Sequence, residues 1–93
     1  MTFATLRIDL RVVLCASPKD RHRQMRSILE TIHTHFNVAV AEGEEPHAHD
    51  QAVLFAAAVA RTRREALEIL ERVADAVSAH PRAEVLHVAI SEA

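Results

Sequence analysis

Glycine is almost missing from this chain: there is one, Gly43, alongside only three prolines. So few flexible or chain-breaking residues leave no glycine-rich phosphate cradle, long linker or low-complexity tail, and they imply helices and strands joined by short turns. Tryptophan and tyrosine are absent, and phenylalanine occurs three times. The aromatic platforms that stack bases on an RNA-recognition sheet are therefore not expected. The single cysteine, Cys15, closes no intramolecular disulfide and suits a reducing compartment. The longest apolar run, residues 52–60, has nine residues, against the roughly 20 that a membrane helix needs. No basic leader with an apolar stretch and a small-residue cleavage site opens the sequence. A soluble, cytoplasmic protein with no membrane contact is expected.

What is present is a near-even mixture of apolar and polar residues, 49% hydrophobic and 26% charged. At 93 residues the chain suits one domain, 1–93, burying about 60–65% of its unfolded surface. The net charge of −2 is unevenly placed. Residues 1–26 hold six Lys or Arg against two acids, residues 27–60 hold five acids and no Lys or Arg, and residues 61–93 are nearly balanced. That total argues against indiscriminate nucleic-acid binding, while the segregation permits a local basic patch.

Alternation opens the chain. Leu6, Ile8, Leu10, Val12 and Leu14 fall on one side and Thr5, Arg7, Asp9 and Arg11 on the other, which predicts a half-buried strand. The period then changes. Ser17 is a suitable N-cap, Pro18 suits the first helical position, and Asp20 completes a capping box. Met25, Ile28, Leu29, Ile32 and Phe36 recur at helical steps. "FNVAVAE" reads as a short strand, "EGEEPHAHD" as a polar connection, and "QAVLFAAAVA", apolar on both faces, as a central strand. Thr62 with Glu65 opens a second helix, with Ala66, Leu67, Ile69, Leu70, Val73, Ala74 and Val77 as its apolar positions, and His80-Pro81 ends it. "AEVLHVAIS" is a last alternating strand, with Leu86, Val88 and Ile90 on one side. The order β-α-β-β-α-β predicts an α+β, ferredoxin-like split β-α-β fold, with an antiparallel sheet of order 4-1-3-2 and both helices on one face.

Nearly the whole chain resembles the YlxP-like proteins, a group of short bacterial proteins assigned to a domain of unknown function. The resemblance rests on "SPKDRHRQMRSI", "FNVAVAE", the "AVL" that opens the third strand, and "HP" after the second helix. Its most specific part is the run from Ser17 through Arg23 feeding into "FNVAVAE". Two positions depart from the group: Pro18 stands where relatives carry a longer aliphatic residue, and His49-Asp50 where they carry Trp-Gln. The resemblance implies a ferredoxin-like fold. It also implies a gene neighbourhood shared with translation initiation factor two and ribosome-binding factor A, and hence a role near the ribosome or its RNA.

The start of the first helix carries Lys19, Arg21, Arg23 and Arg26, where the helix dipole is already positive. At about 100° per residue, Lys19, Arg23 and Arg26 lie within about 60° of one another, opposite the apolar stripe. Arg21 lies on the core side, its stem expected along the sheet edge and its head in water. Two explanations stay open. The four cations and the first-turn N–H groups can form an anion or RNA site. Alternatively, Glu42, Glu44, Glu45 and Asp50 of the β2–β3 hairpin, at the same end of the fold, neutralise them. RNA contact, if made, would be directed at the backbone and sensitive to salt.

The remaining chemistry is sparse. His47 and His49 with Asp50 form an H-x-H pattern that suits zinc or nickel, but no further ligand lies nearby and a solvated hairpin is the better reading. His33 and His35 point in different directions near a helix C-terminus, where imidazolium is favoured. Cys15 precedes a helix start with cations but has no partner base, and reads as a small buried hydrophobe. Phe55 reads as core. No nucleophile elbow, dinucleotide fingerprint or zinc-protease motif occurs. No enzyme, cofactor or metal is expected.

The open sheet face remains. Ala39, Ala41, the small residues of the third strand, Val85 and Ala89 are expected on it, with Arg7, Asp9 and Arg11 among them. Such a patch marks an interface. A sheet-to-sheet homodimer is expected, with a two-fold axis pairing Asp9 of one copy with an Arg of the other. The functional expectation is a non-enzymatic homodimeric module that contacts the ribosome or RNA through its basic helix. The alternative is a protein-interaction or assembly module working through the sheet face, without nucleic acid.

Overall fold

The strand that opens the chain is also the strand on which the sheet is built. β1 (Thr2–Val12) buries Ala4, Leu6, Ile8, Leu10 and Val12 on one side and leaves Phe3, Thr5, Arg7, Asp9 and Arg11 on the other. In the computed structural model, which describes residues 1–44 and 48–92, five further elements follow: α1 (Pro18–His35), β2 (Ala39–Glu42), β3 (Gln51–Ala60), α2 (Arg63–Ala79) and β4 (Ala83–Glu92). The sheet order is β2-β3-β1-β4, with every neighbouring pair antiparallel. This is the expected 4-1-3-2 arrangement.

Both helices begin at the expected caps. The Ser17 hydroxyl accepts from the Asp20 N–H at 3.1 Å, with Pro18 in the first turn, and the Thr62 hydroxyl accepts from the Glu65 N–H at 3.2 Å. α2 ends where His80 turns extended before Pro81, whose ring disfavours helical backbone in the residue preceding it. Met25, Ile28 and Ile32 of α1 and Ala66, Leu70, Val73 and Val77 of α2 join the buried face of β1 and β3 in one core, so both helices cover the same side of the sheet. β3 contributes Ala52, Leu54, Ala56 and Ala58 to that side. Among the described residues, no helix lies on the other side.

β4 departs from simple alternation. Ile90, Val88 and His87 lie opposite Leu6, Ile8 and Asp9, but Leu10 then pairs with Val85, leaving Leu86 as an extra residue. This β-bulge shifts the rest of the strand by one face. Val85, expected on the open face, therefore turns to the helix side and packs against the core with Ile90, while Ala89, opposite Arg7, stays on the open face. Leu86, expected to share a side with Val88 and Ile90, stands 46% exposed at the irregularity.

Candidate functional site

At the start of α1 the cations meet more partners than their spacing suggested. One Asp20 oxygen accepts the Ala16 N–H at 3.2 Å, and the other is paired with Arg23, one helical turn on. The Ala16 bond first, then Arg23, holds the Asp20 carboxyl below its ordinary value of 3.8. The acid needed by the helix dipole is thus already in place. Arg21 is only 2% exposed, so its head is buried, not in water as expected. Helical spacing places it in line with Met25, Ile28 and Ile32, the other buried residues of α1. Its guanidinium reaches across to the hairpin, Nη1 donating to the His49 carbonyl at 3.0 Å, with Nη2 3.3 Å from the His22 Nε2.

The acidic hairpin lies close to α1, as expected, but its pairings are specific. Glu42 sits 3.3 Å from the His22 imidazole, and Asp50 sits 3.5 Å from the Arg11 guanidinium. Lys19, Arg26 and Glu44 make no ion pair among the described residues. Of the four cations singled out, Arg21 is internal and Arg23 is held by Asp20, which leaves Lys19 and Arg26 facing water. Glu45 and His47 lie outside the described residues, and with them half of the H-x-H pattern. His49 is exposed, and its carbonyl takes the Arg21 donor. Cys15 is half-buried, its thiol donating to the Ser17 carbonyl at 3.2 Å.

The open sheet face is the larger feature. On β3 the residues at even numbers face the helices, so Phe55, Ala57 and Val59 face away. Phe55, expected in the core, is 41% exposed, and Val59 is 62% exposed. The physical reason is that β3 is apolar on both faces while helices cover only one. Phe3, 47% exposed, lies opposite Val59, and Ala39 and Ala41 of β2 lie opposite Ala57 and Phe55. With Ala89 these residues form an apolar surface.

The charges within that surface are paired inside the chain. Arg7 grips Asp9 through Nη2–Oδ1 at 3.0 Å and Nε–Oδ2 at 3.3 Å, and its guanidinium lies 5.7 Å from the centre of the Phe55 ring. Asp9 is therefore already held by an Arg of its own copy. Arg11 lies 3.2 Å from Glu84 of β4 as well as near Asp50. A β-carbon added at Gly43 would stand 2.7 Å from the Phe55 Cε2 and 3.0 Å from the Val53 Cβ, so only glycine lets the ring lie so close to the end of β2. Beside Phe55 is a shallow apolar hollow of about 230 Å³, formed by Thr5, Ala39, Ala41 and Ala57 with the ring as one wall. Phe3, Phe55 and Val59 were missed as surface residues. The available signal was a strand apolar on both sides in an order of elements that supplies helices to one.

A search of curated proteins finds no match to this chain. Among the described residues, no helix is long and apolar enough to cross a membrane. Residues 3–90 match a known family over almost the full sequence, and the chain belongs to it: DUF503, a family of proteins of unknown function.

Proposed function

Starting from a DUF503 chain with one uncovered sheet face, we propose that this is a YlxP-like, non-enzymatic interaction module whose working surface is that face. One observation carries the reading: Phe3, Phe55 and Val59 stand in water among alanines, while Arg7, Asp9 and Arg11 are each paired within the chain. Contiguous exposed apolar surface favours association, at about 25 cal/mol for each Å² removed from water. Covering a pre-formed ion pair leaves no orphan charge, which would otherwise cost several kcal/mol. A polyanion finds little to grip where every Arg already holds a carboxylate. Phe3 and Phe55 do not form adjacent stacking platforms either, because the four-residue offset between Phe55 and Val59, the residue opposite Phe3, spans about 13 Å. The surface is suited to apolar protein.

A photo-crosslinking residue at Val59 is expected to give protein adducts in cells, whereas the same residue at Arg72, exposed on α2, gives none. Adding Phe55→Glu is expected to suppress the Val59 adducts. Equal labelling at both positions, or none at Val59, would remove the reading.

A second reading rests on Lys19 and Arg26, exposed on one face of α1 and without an ion pair among the described residues. The resemblance to the YlxP-like proteins points to the ribosome or its RNA as the setting. Two phosphate contacts predict that the logarithm of the association constant falls with the logarithm of salt at a slope of about −1.4 to −1.8. Lys19→Ala with Arg26→Ala is expected to abolish binding to ribosomal subunits in a salt titration. Binding that ignores both salt and these substitutions would exclude this contact.

A further inference from the structure

We infer that the open face is occupied by a second copy of this chain, docked about a two-fold axis so that the Phe55 ring of each copy enters the hollow beside the Phe55 of the other. The inference rests on the reading of that face as the working surface and adds the identity and geometry of its occupant.

Shape supports it first. The face carries a knob and a hole side by side: the Phe55 ring, and the hollow lined by Thr5, Ala39, Ala41 and Ala57. A two-fold axis lying in the plane of the face, midway between them, places each knob in the opposite hole, as an isologous contact requires. The hollow, about 230 Å³, has room for a phenyl ring, since a cavity of about 150 Å³ accommodates benzene. The knob is also pre-organised. Arg7 lies 5.7 Å from the ring centre, and the bare backbone of Gly43 lies so close that an added β-carbon would stand 2.7 Å from the ring edge. A ring already held in place loses little side-chain entropy on docking.

Area and charge agree. The four strands contain 11, 4, 10 and 10 residues. At about 3.3 Å per residue and about 4.8 Å between strands, they present roughly 550 Å² in flat projection. Two such faces together cover about 1,100 Å², just above the roughly 1,000 Å² that a specific interface should clear. The face-to-face contact is therefore of the size a specific dimer uses. Arg7 and Arg11 are offset by Asp9, Asp50 and Glu84, so one copy does not repel another.

The test is sedimentation equilibrium across a concentration series for the unmodified chain, Phe55→Ala, which removes the knob, and Ala57→Leu, which fills the hole. The unmodified chain is expected to be dimeric. Each variant is expected to weaken the dimer about thirty-fold or more, the size of a hot-spot loss, while keeping a cooperative thermal transition. An equimolar mixture of the two variants is the decisive arm. It unites an intact knob from one copy with a hole that is unfilled and has lost only its Phe55 wall, so association should recover in part, above that of either variant alone. A dimer indifferent to both variants, or weakened by both without recovery on mixing, overturns the reciprocal docking. A chain monomeric at every concentration overturns the second copy as occupant. Crosslinking from Val59 then decides the underlying reading separately: adducts to a different protein leave the working face standing, and their absence removes it too.

Discussion

Replacing Arg21 with alanine is expected to cost about 3 kcal/mol and to lower the urea midpoint by about 2 M. Arg21 is the largest of the fully buried side chains, and its Nη1 supplies the His49 carbonyl, 28 residues further along the chain, with a donor. A hydrogen bond from a charged donor contributes about 1.5–3 kcal/mol, and truncation adds the lost packing of the stem. Arg21→Met restores most of the stem but not the donor, so it should lose about half as much. Arg23→Ala removes an exposed partner of Asp20 and should change stability by less than about 1 kcal/mol. Cys15 offers a local readout, because its thiol lies 3.2 Å from the Ser17 carbonyl and 3.8 Å from the His49 carbonyl. If Arg21 ties the hairpin to α1, the thiol should react faster with an aromatic disulfide in Arg21→Ala and at the ordinary rate in Arg23→Ala. Equal stability of the two alanine variants would mean that the buried head contributes nothing.

The cations at the start of α1 thus have a composite explanation. Its charge is divided by helical position: Arg21 turns inward and holds the hairpin, Arg23 serves Asp20, and Lys19 and Arg26 remain in water. The acidic hairpin meets different residues, Glu42 lying beside His22 and Asp50 beside Arg11. Counting charges along the sequence brought the basic and acidic segments together correctly. Counting alone could not assign partners, since these depend on which face of α1 and which end of β1 meet the hairpin.

Elements with local causes were readable from the residues. The alternation of β1 as far as Val12, the Ser17 and Thr62 caps, the stripe of α1 and the stop at His80-Pro81 each depend on neighbours a few positions away, whereas Leu14, expected on the buried side, lies past the end of the strand and is exposed. Three features depended on distant parts of the fold. Phe55 lies in a run apolar on both sides, so periodicity could not say which side the helices leave bare. The depth of Arg21 depends on a carbonyl in the hairpin. The bulge at Leu86 carries no glycine or proline to announce it, and it emerges only from pairing with Asp9 and Leu10. The candidate site was therefore half legible: the open face and its charges were anticipated, while the aromatic knob was not.

The bulge can be tested by comparing two leucines of identical chemistry. Leu6 is fully buried in β1 between Ala56 of β3 and Ile90 of β4. Its neighbours along the strand, Ala4 and Ile8, and across it, Ala56, belong to a packed layer in which alanine has no reach to refill a void. Leu6→Ala is therefore expected in the upper part of the observed range, at about 4 kcal/mol. That is a large share of the roughly 5–14 kcal/mol available to a domain of this size, and it should lower Tm by about 20 °C. Leu86→Ala deletes the same atoms from a half-exposed position at the bulge, where water can replace them, and should cost less than about 1 kcal/mol. Val85→Ala, on the helix side because of the bulge, should cost more than Leu86→Ala despite removing fewer atoms. Thermal unfolding of the three variants gives the order directly. If Leu86→Ala proved more damaging than Val85→Ala, β4 would follow unbroken alternation and Val85 would return to the open face.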